Sequence, residues 1–200
     1  GDYREVAMAY KDPTNPFGLE SIYKEKPFKT LVLDSLTSWF KLALTYAIEL
    51  SRTYGLKEQP TIERPQLVGY GIRSTATKEM AFNLINWCRK HGVNCVFIAH
   101  KGEMVKDEQT GIMYNSIGLS GDIPNEIARW CDECWMMGVD GTGKRLLQVQ
   151  PLSNARPLKT RMFSSDVSTV DATTLSLSQL IDAWRSTGKI NNDTLNNLKG

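Results

Sequence analysis

Leu31, Val32 and Leu33 form a short unbroken apolar run that ends on Asp34 and Ser35. A run of this kind suits a strand buried on both faces of a parallel sheet. Trp39, Leu42, Ala43, Tyr46, Ala47 and Leu50 then recur at helical spacing, with Lys41, Thr45, Glu49 and Arg52 on the other faces and Gly55 beyond. This pattern predicts an amphipathic helix over 37–54. Residues 56–72 carry Pro60, Pro65, Gly69 and Gly71 and read as a loop. Ala81, Leu84, Ile85 and Cys88 make a second helical face, with Ser74 or Thr75 as the N-cap and Gly92 past the end. Cys95 to His100, CVFIAH, reads as a second buried strand that closes on a polar residue. Strand, helix, loop, helix and strand in that order predict an α/β domain with a parallel sheet.

After His100 the pattern changes. Residues 101–121 hold Gly102, Gly111, Gly118 and Gly121 and no helical period, which predicts a long loop. A short helix is expected over 122–129. Three strand-like pieces follow at 134–137, 145–150 and 158–163, separated by turn signals and expected to pair antiparallel. Residues 176–184 read as a helix, and the Asn-rich tail within 186–200 is polar and expected to fray. At the other end, Asp2–Tyr23 reads as a strand-like piece (Val6, Met8, Tyr10) followed by a Pro-rich turn. The 200 residues are expected to form a single domain.

Composition narrows the class. With 41% hydrophobic and 23% charged residues the chain is globular and not disordered. A net charge of +2 neither demands nor excludes nucleic acid, since a basic patch can sit within a balanced total. No apolar run is long enough for a transmembrane helix, and GDYREVAMAYKD has neither the basic start nor the apolar core of a signal peptide. Four cysteines suit a reduced, cytoplasmic protein, with no membrane partner expected. Cys131-x-x-Cys134 invites zinc but has no second pair at ligand spacing. On an extended strand the two would also point opposite ways, so reduced buried thiols are expected. His91, at a helix C-terminus, reads as a favourable end charge.

Several pieces in fixed order carry a family resemblance. They are VLDSLT with Asp34 and Ser35, Tyr70-Gly71 before a long helix, FIAH ending at His100, Leu119-Ser120-Gly121, and LKTR at Leu158–Arg161. Over about residues 29–163 the set resembles the RecA-like ATPases of bacteriophages, of the annealing and recombination type. The resemblance implies a partial RecA-like core, with a parallel central sheet flanked by helices and late antiparallel strands. Such proteins carry a Gly-rich P-loop ahead of the aspartate strand. The 28 residues before Lys29 hold no G-x-x-x-x-G-K, so the chain is expected to be such a core without its P-loop unit. Gly138 to Lys144 does match that pattern, but Arg145 follows where a Ser or Thr should bind magnesium. The alternating LLQVQP after it, with Asp-Gly before it, predicts a hairpin instead.

The resemblance also implies roles. Asp34 would hold the Mg2+ that accompanies ATP, with Ser35 adding an oxygen; the alternative is that Asp34 caps the next helix. His100 would sense the γ-phosphate, or else be a histidine hydrogen-bonded at the sheet edge. Lys159 and Arg161 alternate with Leu158, Thr160 and Met162, which puts both on one side of a strand. In the resembled family such cations reach the ATP of a neighbouring subunit; the alternative is a solvated edge strand. Arg64, Tyr70 and Arg73 in the first loop, and Lys101 and Lys106 in the second, stand where single-stranded DNA would lie, although Glu103, Asp107 and Glu108 make the second loop net negative. The function so implied is part of an ATP-dependent phage recombination or single-strand annealing protein, assembled as a ring or filament. The alternative is a RecA-shaped DNA-binding or assembly subunit that hydrolyses nothing.

Overall fold

A computed structural model describes residues 18–106, 108, 111, 113–150 and 158–199. The expected strand-like piece at Val6, Met8 and Tyr10 lies outside the described residues, as do Asp107 and Pro151. The chain divides into two compact units, residues 1–100 with 118–123, and residues 101–117 with 124–200.

In the first unit, β1 (Thr30–Asp34) pairs in parallel with β2 (Asn94–Ile98), in register from Thr30 opposite Asn94 to Asp34 opposite Ile98. Between them run α2 (Leu36–Ser51), a 3-10 turn (Arg52–Tyr54) and α3 (Gln66–His91), preceded by α1 (Leu19–Glu25). Leu36, Trp39, Phe40, Ala43, Ala47 and Ile48 are buried along α2 at the three- and four-residue spacing of one helical face. They pack against α3, which buries Ala76, Met80, Ala81, Leu84, Ile85 and Cys88.

The expected loop over 56–72 ends early, at residue 65. Helix α3 begins at Gln66, with Pro65 as its N-cap rather than Ser74 or Thr75. Gly69 read as a loop signal, but it is a packing residue. A Cβ there would stand 3.2 Å from Cβ of Pro65 and 3.3 Å from Cδ1 of Ile48. Gly55 ends the 3-10 turn at φ 64°, and Gly92 ends α3 in the same left-handed region. Helix α1 is fastened to the end of α3. Trp87 Nε1 donates to Glu20 Oε2 at 2.9 Å, and Tyr23 stands edge-on to Trp87 and Phe28. His91 does close α3 as expected, but it also faces Glu20 at 3.1 Å and packs on Trp87.

The segment after His100 is not one long loop. Strand β3 (Lys101–Lys106) pairs antiparallel with β4 (Met113–Ile117). Strand β3 is largely exposed and β4 is half-buried along most of its length, so neither shows the alternation that marks a strand with one buried face. Helix α4 (Ile123–Trp130) follows, close to its expected range. Strands β5 (Met136–Val139), β6 (Arg145–Gln148) and β7 (Thr169–Asp171) form an antiparallel sheet in that order. The expected strand over 158–163 reduces to two isolated bridges, Lys159 with Cys134 and Phe163 with Ile190. Between them Thr160 Oγ1 accepts from the amide of Phe163 at 3.1 Å, turning the chain.

Helix α5 (Leu177–Thr187) starts with a capping box between Ser176 and Gln179. The Asn-rich tail forms α6 (Asn192–Lys199), started by Asn191, whose Oδ1 accepts from the amide of Thr194 at 2.8 Å. Ile190 and Leu195 anchor it in a core with Phe163, Val167, Val170 and Leu180. The G-x-x-x-x-G-K match is the β5–β6 hairpin. Asp140 Oδ1 accepts from the amides of Thr142 and Lys144, and Gly143 takes φ 84°. The described residues therefore form an α/β fold, with a small parallel sheet, flanking helices and late antiparallel strands, consistent with a partial RecA-like core.

Candidate functional site

The C-terminal edge of the β1–β2 pair gathers the first set of residues. Parallel α/β sheets bind ligands outside this edge, where side chains leave the strands and helices begin. Asp34 is the last residue of β1 and is exposed. Its carboxylate has no hydrogen bond or ion pair with the described residues. It is not the helix cap, because Ser35 takes that place. Ser35 Oγ accepts from the amide of Ser38 at 3.1 Å and lies 2.9 Å from Ser38 Oγ. Ser35 is therefore buried and engaged in its own helix, while the adjacent carboxylate stays open to solvent. The Asp34–Ser35 peptide bond is cis.

His100 lies just past β2, whose Ile98 pairs with Asp34. Its backbone is held on both sides. The amide donates to Oγ1 of the buried Thr37 at 2.9 Å, and the carbonyl accepts from Gly118 N at 2.8 Å. Thr37 belongs to the first turn of α2, so one helix start fixes the exits of both strands. The imidazole itself is exposed.

Arg73 joins α3 to the same unit. Its guanidinium lies over the Phe40 ring at 3.9 Å and 5.0 Å from the Tyr70 centroid, and Nη2 donates to Ser120 Oγ at 3.0 Å. Burial pulls its pKa below the usual arginine range. Tyr70 and Arg73 thus sit on a helix and not on the expected loop. Arg64, in the connection before α3, is exposed, with its amide donating to Thr61 Oγ1 at 3.0 Å. Lys101 and Lys106 are exposed at the two ends of β3, in the second unit.

Lys159 and Arg161 do not share the face of a strand. Both reach instead toward the end of α4. Lys159 Nζ donates to the carbonyl of Arg129 at 3.3 Å, and Arg161 Nη1 pairs with Asp132 Oδ1 at 2.9 Å. Sequence reasoning missed Glu133, which organises this segment. Its carboxylate accepts from the amides of Arg161 at 2.7 Å and Met162 at 2.8 Å, and from Thr160 Oγ1 and Trp135 Nε1. Nothing in local composition marks such a carboxylate, because three of its four partners, two of them backbone amides, lie nearly thirty positions away.

None of the four cysteines is in a disulfide; Cys88 is buried and the others are half-buried. Burial, with help from neighbouring Cys131, pushes the Cys134 thiol up to about 11. The two do not lie on a strand, so the argument that they point apart does not apply. Among the described residues no cluster of three or more His, Cys, Asp or Glu side chains is arranged to hold a metal. A P-loop Mg2+ needs no such cluster, since phosphates and waters supply most of its ligands, and the open Asp34 carboxylate fits that donor set.

No curated protein and no solved structure matches the chain. A protein-family comparison does match, over residues 11–161, to a family described as an AAA domain, and that span contains Asp34, His100, Lys159 and Arg161. The match covers most of the 200 residues, so the chain belongs to the AAA domain family of the P-loop ATPase superfamily.

Proposed function

We propose that this chain supplies the metal-holding and sensing half of an ATP-dependent protein that acts on single-stranded DNA in recombination or strand annealing. The observation that carries the reading is the shared edge. An exposed Asp34 carboxylate, without a partner among the described residues, and His100 leave neighbouring parallel strands, and the first turn of α2 fixes the exit of both. The chemistry that Mg2+ supplies when bound is neutralisation of charge on the phosphates. Asp34 holds the ion through its free oxygens. His100 donates or withholds a hydrogen bond according to whether a phosphate stands before it, and its tethered backbone passes the difference to Gly118. Lys159 and Arg161 stabilise charge on a nucleotide held by a neighbouring copy, acting mainly on the transition state. Arg64, Tyr70, Lys101 and Lys106 offer exposed cations and an aromatic ring to phosphates and bases.

Paramagnetic broadening by Mn2+ with ATP tests the edge in the 200-residue chain. The amides of Asp34, Ser35 and His100 should broaden first, and Asp34→Asn should abolish the effect. Broadening that ignores this edge, or that survives Asp34→Asn, removes the metal role from Asp34.

A further inference from the structure

We propose that Glu133 is the positioning residue of the Lys159–Arg161 cations, and that Asp132 is the in-chain partner which Arg161 exchanges for an external polyphosphate. The proposal rests on the reading of these cations as phosphate ligands and adds how they are held and released.

A carboxylate has about four lone-pair sites, and all four on Glu133 are filled. Oε1 takes the consecutive amides of Arg161 at 2.7 Å and Met162 at 2.8 Å, and Oε2 takes Thr160 Oγ1 at 2.5 Å and Trp135 Nε1 at 2.8 Å. Charge-assisted bonds of this kind are short and strong. Two successive amides aimed at one oxygen fix the direction of the backbone at Arg161. Lys159 is held by backbone as well, since Cys134 N donates to its carbonyl at 2.8 Å and its own amide donates to Cys134 O at 3.1 Å. The C-D-E-C turn thus clamps the backbone of the K-T-R segment from residue 159 to 162.

The charged heads are held differently. The Arg161 and Asp132 side chains are 72% and 63% exposed, so their ion pair is solvated and weak. Among the described residues, Lys159 Nζ bonds to a neutral carbonyl, at 3.3 Å. A fixed backbone with loosely parked heads suits cations that change partners. An incoming polyphosphate offers Arg161 a more highly charged, bidentate acceptor than Asp132 does.

Titration of the 200-residue chain with inorganic triphosphate tests this, with affinity read by calorimetry and the Arg161 Nε–Hε resonance by NMR. Arg161→Gln should weaken binding well beyond the control Arg185→Gln, which removes an exposed charge elsewhere. Asp132→Asn should tighten binding by about two- to fivefold, the share of an exposed pair, and beyond the control Asp182→Asn. It should also shift the Arg161 resonance toward its bound position. Glu133→Gln should weaken binding several-fold and move the Arg161 and Met162 amides. Thr160→Val removes one of the four bonds to Glu133 together with the acceptor of the Phe163 amide; it should do the same to a smaller degree and covers the case in which Glu133→Gln fails to fold. If Arg161→Gln matches Arg185→Gln, the phosphate reading itself falls. If Arg161→Gln weakens binding but Asp132→Asn is no tighter than its control, the exchange is overturned. If Thr160→Val and a folded Glu133→Gln bind like the parent chain, the positioning role is overturned.

Discussion

Thr37→Val isolates the bond that ties the two strand exits together. Thr37 is 7% exposed, and its Oγ1 accepts from the His100 amide at 2.9 Å. Valine keeps the shape and removes the acceptor, leaving a partly buried donor without a partner. An unsatisfied buried donor costs about 1–3 kcal/mol, and partial solvent access puts this one near the lower end, about 1–1.5 kcal/mol. Thr37→Ser makes the opposite change. It keeps the oxygen and loses a methyl, at about 0.8 kcal/mol. Total stability separates the two poorly, so the assay is amide hydrogen exchange at His100. In Thr37→Val that amide should exchange roughly five- to tenfold faster, the factor corresponding to 1–1.4 kcal/mol. In Thr37→Ser it should keep its protection, and Gly118 should stay protected in both. Equal protection of His100 in the two variants refutes the argument, because the hydroxyl then does not hold the strand exit.

The remaining predictions concern other parts of the molecule. Steady-state ATP hydrolysis by the 200-residue chain should read at background and Lys144→Ala should change nothing, because the G-x-x-x-x-G-K stretch is a hairpin closed by Asp140 and not a phosphate cradle; turnover abolished by Lys144→Ala would show otherwise. For single-stranded DNA, Arg64→Ala should weaken binding and flatten the slope of log affinity against log salt by about 0.7, the value for one phosphate contact on a single strand; an unchanged slope removes Arg64 from the interface. The Glu20 carboxylate is held below its usual value near 4.5, chiefly by the hydrogen bond from Trp87, with His91 and nearby lysines helping. Its folded pKa lies below its unfolded one, so its contribution is fully present above about pH 4.5 and is lost as pH falls through the folded value. Trp87→Phe should therefore flatten the acid limb of a stability-against-pH curve, and an unchanged limb would assign that limb to other carboxylates.

What the chain's pattern made legible follows from where each signal is stored. The two parallel strands were readable because Leu31–Leu33 and Cys95–Ile98 are unbroken apolar runs of strand length, although neither is buried on both faces as expected, since Val32 and Ile98 are exposed; α2 was readable because one face repeats at helical spacing. The first two turns of α3 were hidden by Pro65, Gly69 and Gly71, whose usual local meaning is a loop. Gly69 is there for Ile48, a residue on another helix. The β3–β4 hairpin was hidden for the opposite reason, since Met104, Val105 and Met113 are exposed and no face of the hairpin is buried enough to impose alternation. The L-K-T-R-M-F stretch alternates well yet forms no strand, because Thr160 turns the chain and Glu133 takes the amides a neighbouring strand would have used. Within the candidate site, Asp34 and His100 were legible as polar residues ending apolar runs. Thr37 and Glu133 were not, because the amides they hold, of His100 and of Arg161 and Met162, lie far along the chain.

The claim that Asp34 and the Arg161 cation serve one catalytic site from different copies is tested most directly by mixing two inactive variants. The measurement is ATP hydrolysis by Asp34→Ala combined with Arg161→Ala, each in a chain that carries a P-loop unit ahead of Lys29. Each variant alone should be inactive. In mixed assemblies some interfaces pair an intact Asp34 site with an intact Arg161, so activity should partly return and peak at intermediate ratios. If mixed assemblies form and every ratio stays inactive, Arg161 acts only within its own chain and the shared site is contradicted.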